Sequence, residues 1–531
     1  MRGACLTEDA LTHRKCARRA LRVRVAGRVA SGARIPPTGT GAVAWFLVPA
    51  SSTVALTEAQ QRAVAELLRV SPVAEDLGHR FAAAGHQLHL VGGSVRDAML
   101  GRLGDDLDFA TDARPEQVLA LAAGWADAIW QTGVAFGTVG LQRRGVRLEI
   151  TTYRSESYRP DSRHPEVVYG DTLVGDLGRR DFTMNAMAVT LPDWRAPTAF
   201  TDPFGGMADL AAGRLRTPGR PQDSFSDDPL RMLRTARFAA QLGFTVADDV
   251  IAAMTAMVER IAIVSVERVQ GELSRLLVST QPRIGLELLT ATGLAAQVLP
   301  ELPALRMEID EHHQHKDVYA HTLSVLERAI ALEPDGPDLG LRMAALLHDI
   351  GKPRTRRHEA GGGVSFHHHE VVGAKLARKR LTALHYPKAF IDDVSLLVEL
   401  HLRFHGFGRG EWTDAAVRRY VRDAGDQLPR LHLLVRSDCT TRNRRRAAAL
   451  AAAYDALADR IARLAAAEDL QALRPDLDGT EIMRQLDIPP GPDVGRAYRY
   501  LLALRMEQGP LGHDEAVEVL RAWAAANGVG T

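Results

Sequence analysis

The sequence predicts an α+β protein, a small mixed head of strands and helices on a long all-helical body. Three observations carry that expectation. Strand-like runs cluster between about residues 86 and 153. Helical periodicity takes over from Asp209 and hardly breaks again. And 531 residues are too many for one hydrophobic core, so two to four domains are expected.

In chain order, a helical pattern starts at Leu56 and leads to a strand in HQLHLVGG. Further strands are read in DLDFAT (106–111), GTVGLQ (137–142) and VRLEITTY (146–153), with a helix opened by Pro115 in RPEQVLALAAGW. The head ends near Pro203. Within it, Arg154 to Asp171 has turn residues and no clean period, and is expected to be a flexible loop. From Asp209 the helices are separated by Pro/Gly turns such as EPDGPD and EAGGG. The expected divisions are a basic extension over 1–54, the head over 55–203, a helical neck over 204–308, a second helical domain over 309–440 and a helical tail over 441–531.

The net charge of +1 hides an asymmetry. Nine of the 66 Lys and Arg residues but only two of the 65 acidic ones fall in residues 1–50, so the remainder is net acidic and any nucleic-acid contact there must use local basic patches. The basic segment also holds the turn-forming IPPTGTG and the short apolar run AVAWFLVPA. It is expected to be a disordered extension, with a basic arm on RNA as the functional alternative; its basic stretch is too long for a secretory signal. No apolar run is long enough for a transmembrane helix, so no membrane association is expected. Cys5, Cys16 and Cys439 are too few and too scattered for a disulfide framework or a zinc site, which fits a reducing cytoplasm.

LVGGSVRDAMLGR, Leu90 to Arg102, runs straight into DDLDFAT. Gly92 and Gly93 lack side chains, so backbone N–H groups can approach a phosphate closely, and Arg96 offers further donors. In a strand, Asp106 and Asp108 point to one face while Leu107 and Phe109 point into the core. Two carboxylates side by side repel unless a cation sits between them, and magnesium favours oxygen ligands. A strand-to-helix glycine pair followed closely by such an acidic pair suits metal-dependent transfer of a nucleotide from a nucleoside triphosphate.

Two later segments add candidates. In RRDFTMNAMA, Arg179 and Arg180 could clamp a triphosphate while Asp181 and Asn185 read ribose hydroxyls; alternatively, Asp181 or Thr183 caps a helix and Asn185 is a surface residue. In SDDPLRMLRTARF, Pro229 suits a first helical position and makes Asp228 a natural N-cap. Asp228 and Arg231, three residues apart, also form an acceptor–donor pair on one helix face. Cytosine and adenine each present an amino donor beside a ring-nitrogen acceptor; uracil and guanine present the reverse. Such a pair would accept C and A and reject U and G.

LVGGSVRDAMLGR, DDLDFAT, RRDFTMNAM, DPFGGMADL, DDPLRMLRTARF and ERVQGELSRLL, in this order and spacing over about residues 85–280, resemble the motifs of class II tRNA nucleotidyltransferases. That family includes CCA-adding enzymes and bacterial poly(A) polymerases. The resemblance implies a polymerase-β-like head, with Gly92, Gly93, Asp106 and Asp108 in its catalytic motif and Arg179, Arg180, Asp181 and Asn185 in its ribose-recognition motif. Asp228 and Arg231 match the amino-acid template for CTP and ATP, and Glu267, Arg268 and Glu272 match a last, structural motif. One departure is Asp227, which takes a position commonly held by Glu and is one methylene shorter. Glu149 is the candidate third carboxylate, against the alternative of an exposed strand residue.

The helical body carries a second signal: His321, the adjacent His348 and Asp349, His369 in FHHHE, His401 and Asp438. Imidazoles and carboxylates from separate helices are the materials of a divalent transition-metal site. The pattern looks like an HD-domain phosphohydrolase. There His321, His348, Asp349 and Asp438 would form a basic metal set, His369 and His401 could hold a second ion, and Lys352 could offset phosphate charge. His367 and His368 are read as exposed.

The leading expectation is an enzyme that adds CCA to tRNA from CTP and ATP. Magnesium at Asp106 and Asp108 would activate the RNA 3′-hydroxyl and steady the leaving pyrophosphate. The helical body, with the basic run Thr441 to Arg446 as one patch, would grip the tRNA. No protein partner is expected. The alternatives are a poly(A) polymerase, an enzyme adding only CC or only A, and, in a different class, an HD phosphohydrolase with the head as an RNA-binding module.

Overall fold

Seven strands of the head build one sheet in the order β3-β4-β5-β2-β1-β8-β9. In the computed structural model these are β1 Leu88–Val91, β2 Asp106–Thr111, β3 Ala128–Trp130, β4 Thr138–Arg143, β5 Val146–Thr152, β8 Ala188–Leu191 and β9 Phe200–Thr201. The described residues are 57–102, 104, 106–157, 166–170, 172–307, 317–359, 364–406, 412–439, 444–468 and 474–530. They belong to one compact unit, Ser51–Thr531. The expected disordered extension and residues 441–443 of the basic run lie outside the described residues.

The strand alternation works as read. Leu107 and Phe109 are 2% and 1% exposed, Asp106 is open and Asp108 half-buried. β2 runs parallel to β5 and every other pairing in this sheet is antiparallel. Helices α1 Glu58–Val70, α2 Val73–Ala83, α3 Gly93–Met99 and α4 Pro115–Ala122 belong to the head. Pro115 does open α4, where a missing N–H costs nothing.

Two parts of the head and the base of the neck depart from the reading. The stretch after Tyr153 is not simply a loop: β6 Arg154–Ser157 and β7 Glu166–Tyr169 pair antiparallel, Arg154 opposite Tyr169 and Ser157 opposite Glu166. β-Branched and aromatic residues in Val167–Tyr169 outweigh the turn residues around them. The segment after Arg179 is no helix start either. Helix α5 Leu173–Gly178 ends before it, a short 3₁₀ turn covers Thr183–Asn185, and β8 follows. At the base of the neck, Asp228 closes α7 Pro221–Asp227, while its Oδ1 still accepts the Leu230 N–H at 3.1 Å as a capping residue would. Between them lies α6 Gly206–Ala211.

The neck is not a loosely appended stalk. Phe238 and Ala239 of α8 Leu230–Leu242 lie in the same hydrophobic cluster as Leu90, Leu107, Phe109 and Ile150 of the sheet. Burying Phe238 to 3% exposure contributes roughly 2–3 kcal/mol to holding α8 on the head. The other face of α8 enters a second core that continues without a break through the helical body to Leu457. That body comprises α9 Asp248–Ala256, α10 Val266–Leu277, α11 Pro282–Ala291, α12 Leu294–Val298, α13 Val318–Leu332, α14 Leu339–Leu347, α15 Lys352–Thr355, α16 His369–Ala383, α17 Lys388–Leu400, α18 Asp414–Ala424, α19 Leu428–Asp438 and α20 Arg444–Ala467. Three last helices, α21 Gly479–Leu486, α22 Pro492–Gln508 and α23 His513–Asn527, pack on a small core of their own. Arg418 ties them back, bonding Glu468 at 2.9 Å and the Met506 carbonyl at 3.2 Å. No helix among the described residues is long and apolar enough to cross a membrane.

Burial makes the head acid-sensitive. His89 on β1 lies 3.0 Å from Thr190 Oγ1 on β8, and burial pushes its imidazole down to about 4. Between pH 6.5 and 4 the unfolded chain binds a proton that the folded head refuses. The stabilisation therefore holds above pH 6.5 and is lost as pH falls through that window, by up to roughly 3 kcal/mol. Urea unfolding of the head should weaken from pH 7 to pH 4.5, and His89→Gln should flatten that dependence; an unchanged slope in the variant would rule His89 out as its source.

Candidate active site and metal centre

The acidic face of the sheet is built by register. β2 and β5 pair so that Asp108 lies beside Glu149, and Asp106 beside Arg147. Residues paired across strands share a face, so Asp106, Asp108 and Glu149 converge on one side. They line a cleft of about 780 Å³ together with Trp130, Arg147 and Arg275. Burial raises the Asp108 carboxyl to about 6; Arg180 pulls it back, while Glu149 and Asp106 add to the rise. Three carboxylates with one pushed towards its neutral form are a donor set short of positive charge. They fit a divalent ion with oxygen preference.

Gly92 has φ +70°, and a Cβ there would fall 2.8 Å from the Arg180 guanidinium and 3.5 Å from Asp108 Oδ2. The positive φ is what calls for glycine, and the close passage puts the turn next to Arg180 and Asp108. The next residues, Gly93 and Ser94, start α3. The Ser94 hydroxyl accepts the Asp108 N–H at 3.0 Å and donates to the Asp106 carbonyl at 3.3 Å, which fixes the glycine turn against the acidic strand. Ser94 was not singled out from sequence, although its place directly after the glycine pair was a usable sign.

The arginines divide into two groups. Arg179 and Arg180 both bind Asp176, at 2.7 and 3.1 Å, from three and four residues along. Asp176 is 1% exposed, and its spacing from the two arginines was the sign that could have marked it. Arg96 stands beside the glycine turn, its guanidinium 3.6 Å from where a Cβ on Gly93 would lie. It is 5% exposed, donates to Asp97 and to Asn185 Oδ1 at 2.8 Å, and lies 5.1 Å from the centre of the Phe238 ring. Asp181 and Asn185 are likewise internal: Asn185 Nδ2 donates to Asp181 Oδ1 at 2.8 Å, and Arg234 of α8 donates twice to Asp181 Oδ2, at 2.9 and 2.6 Å. Burial works to raise the Asp181 pKa, but Arg234 and Asn185 outweigh it and hold it at about 2.

The pair at the start of α8 adjoins this segment. Arg231 donates to the Arg179 carbonyl at 2.5 Å and to Ser224 Oγ at 2.9 Å. Asp228 is held by Arg268 of α10, with its Oδ2 2.7 Å from the guanidinium. Glu272, one turn after Arg268, is 2% exposed and bonds Arg237 at 2.6 Å. Glu267 instead reaches His385 at the surface.

All six residues of the histidine motif meet. The ligand atoms of His321, His348 and Asp438 lie within 4.8 Å of one another, and so do those of Asp349, His369 and His401. Asp349 stands between the groups, with Oδ2 3.2 Å from His348 Nε2 and Oδ1 3.3 Å from His369 Nε2. His348, His369 and His401 each turn Nδ1 to the carbonyl three residues back, at 2.9, 2.8 and 2.6 Å. A carbonyl only accepts, so each Nδ1 carries a proton, and in the neutral imidazole that a metal requires each Nε2 keeps its lone pair. These three Nε2 atoms are buried without a hydrogen-bond partner, which is what a metal site needs and a packed core avoids. Lys352 Nζ lies 2.6 Å from Asp349 Oδ2, and His367 and His368 are exposed.

An acidic sheet face beside a glycine turn, on a body carrying a convergent histidine–aspartate cluster, defines a nucleotidyl-transfer head joined to an HD-type domain. Comparison with known proteins agrees. Residues 88–216 match the poly A polymerase head domain, residues 243–305 a probable RNA- and SrmB-binding site of polymerase A, and residues 318–464 the HD domain. The chain is 34% identical over 444 residues to an A-adding tRNA nucleotidyltransferase of Deinococcus radiodurans, covering 82% of this chain and 95% of that one. It is 33% identical to a CC-adding tRNA nucleotidyltransferase of Thermus thermophilus, covering 82% and 93%. A CCA-adding enzyme of Levilactobacillus brevis is 42% identical over 212 residues, but the match spans 40% of this chain and about half, 51%, of that protein. The crystal structure of the Bacillus stearothermophilus CCA-adding enzyme with CTP superposes with a TM-score of 0.61 at 25% identity, covering 86% of this chain and 98% of that one. The chain belongs to the family of tRNA nucleotidyltransferases and poly(A) polymerases.

Asp108→Ala removes a carboxylate that the folded head already disfavours in its charged form, so thermal stability at pH 7 should hold or rise. Nucleotide addition should fall on the order of 10³-fold, the scale of losing a preorganised electrostatic contact in the transition state. A well-folded variant with substantial activity would place the reaction elsewhere.

Proposed function

We propose that this chain completes tRNA 3′ ends, adding C, C and A from CTP and ATP without a nucleic-acid template, by two-metal nucleotidyl transfer at Asp106, Asp108 and Glu149. The observation that supports this most is the junction of neck and head. Arg231, which with Asp228 suits the edges of C and A, is hydrogen-bonded to Arg179, whose neighbour Arg180 stands beside Asp108. Base choice and phosphate chemistry thus sit on one rigid assembly.

The RNA 3′-oxygen attacks the α-phosphorus, the bond to the leaving pyrophosphate breaks, and the hydroxyl proton is lost. Magnesium, when bound, lowers the cost of deprotonating that hydroxyl and of the charge on pyrophosphate. Asp106, Asp108 and Glu149 would hold it. The glycine turn lets backbone N–H groups face the triphosphate, and Arg180 adds charge there. Asp228 already accepts from Leu230 and Arg268. A carboxylate has about four lone-pair sites, so one remains for an exocyclic amine. The proposed divisions are head 55–203, neck 204–308, HD domain 309–440 and tail 441–531, with the tail and tRNA in contact and the work done in the cytoplasm. A single-step enzyme is the second reading, because the relatives matched along nearly their whole length are named A-adding and CC-adding.

Transcripts lacking CCA, CA and A, each offered one labelled nucleotide at a time, separate these readings. The proposal expects C, C and A and then arrest; A alone on the transcript lacking A, or C alone on the others, would assign a single step. Asp228→Asn keeps a capping oxygen but turns half of the acceptor into a donor. It should lower discrimination against UTP and GTP by roughly 10-fold or more, the scale of about 1.4 kcal/mol and upwards for a mispaired buried group. Full discrimination in the variant would discard the template.

The histidine cluster would hold divalent transition metal, which polarises a phosphate and activates water. We extend the proposal to a separate phosphohydrolase activity there. Asp349→Ala should abolish hydrolysis of a generic phosphodiester, a 2′,3′-cyclic nucleotide or a phosphomonoester in a panel of divalent metals, while CCA addition persists. If the metal-loaded wild type hydrolyses none of them, the cluster is structural.

A further inference from the structure

The register that aligns the carboxylates extends beyond them. Asp108 pairs with Glu149, Glu149 with Gly140 and Gly140 with Trp130. This is one row on one face, crossing four strands at about 4.8 Å each. Only Gly140 contributes no side chain to it, and the Trp130 indole occupies that gap. A Cβ on Gly140 would fall 1.9 Å from Trp130 Nε1 and 2.4 Å from Cε2. The ring therefore lies across the sheet towards Glu149, with one side against the glycine backbone. It is half-buried and forms the wall of the cleft that holds the three carboxylates. A core indole is covered on both faces; this one is seated on one.

Strand order gives the seat a direction. Gly92 and Gly93 follow β1, and Arg180 precedes β8, so the proposed triphosphate side lies beyond β2 on the β1/β8 side. Trp130 lies on the opposite, β4/β3 side. An in-line displacement needs the attacking oxygen and the leaving pyrophosphate on opposite sides of phosphorus. The RNA end must then arrive over β5, β4 and β3. Arg147, cross-strand neighbour of Asp106, lines the same wall, is exposed and has no ion-pair partner among the described residues.

We propose that Trp130 is a positioning residue for the RNA acceptor: its indole, seated on Gly140, stacks the nucleobase at the acceptor's 3′ end, and Arg147 meets a neighbouring phosphate. This rests on the nucleotidyl-transfer reading above. Stacking suits an acceptor whose last base is the transcript's own at the first addition and cytosine at the next two, because every base has a π face and none is selected by hydrogen bonding.

Steady-state addition to tRNA lacking CCA tests it, with wild type, Trp130→Ala and Trp130→Phe. Trp130→Ala should raise KM for tRNA roughly 5- to 100-fold, from about 1–3 kcal/mol of stacking per base at 1.4 kcal/mol per tenfold. KM for CTP should stay within about twofold, and Trp130→Phe should regain most of the loss. Gly140→Val, which lifts the ring from its seat, should reproduce the acceptor defect. An unchanged KM for tRNA in Trp130→Ala overturns the proposal, and so does an equal rise in both KM values. Quenching of tryptophan fluorescence by a short RNA ending in ACC reads the stack without turnover: it should be strong in wild type and sharply reduced in Trp130→Phe. Quenching that survives in Trp130→Phe refutes the seat. Quenching lost there while wild type adds no nucleotide to any transcript would uphold the stack and sink only the transferase reading.

Discussion

The arrangement depends on one buried carboxylate. Asp181 accepts from the Phe182 N–H and the Asn185 amide on one oxygen and twice from Arg234 on the other. Held at about 2, it is charged at any working pH. Leaving a buried charge of this kind without its partner costs about 3–5 kcal/mol, so Arg234 cannot readily leave. Arg234 belongs to the neck and Asp181 to the head, and Asn185 passes the constraint on to Arg96. The Phe238 ring fills the space between, with Arg96, Arg234 and Arg237 all within 5.5 Å of its centre. The start of α8, with Asp228 and Arg231, is thereby held at a set distance from the acidic face.

The rest of the site is charge left unbalanced on that frame. Asp176 pairs with both Arg179 and Arg180 and so leaves a net positive charge there, while Asp181 and Glu272 balance Arg234 and Arg237. Asp106, Asp108 and Glu149 lack that treatment, and Asp108 answers by taking up a proton near pH 6. Set against the paired buried carboxylates Asp176, Asp181 and Glu272, these three form a donor set that suits a cation. The histidine cluster follows the same logic with nitrogen: three imidazoles are oriented by backbone carbonyls, and their lone pairs are left to a metal.

Much of this was legible in the chain, and the remainder had physical reasons to be hidden. The alternation in DLDFAT showed which two carboxylates share a face, because strand period is local. That Glu149 stands beside Asp108 depends on the β2–β5 register, which no local pattern reports. β8 went unread because AVTL, three apolar residues and a threonine after a polar motif, looks the same in a strand and in a buried turn. The bond from Arg96 to an asparagine 89 residues away is a long-range contact that no local pattern reports. The six HD residues and their split into two groups were visible, whereas the place of Asp349 with His369 and His401 needed five helices in place.

On the function proposed, α8 makes the base choice because it is bonded to the head that does the chemistry, and the structure of this protein with CTP is the deciding measurement. It should show the cytosine amino group within hydrogen-bond distance of Asp228, the ring nitrogen facing Arg231, and the triphosphate at the glycine turn beside Arg180, with the Asp181–Arg234 pair unbroken. A triphosphate bound at the glycine turn with its base held away from Asp228 and Arg231 would contradict it.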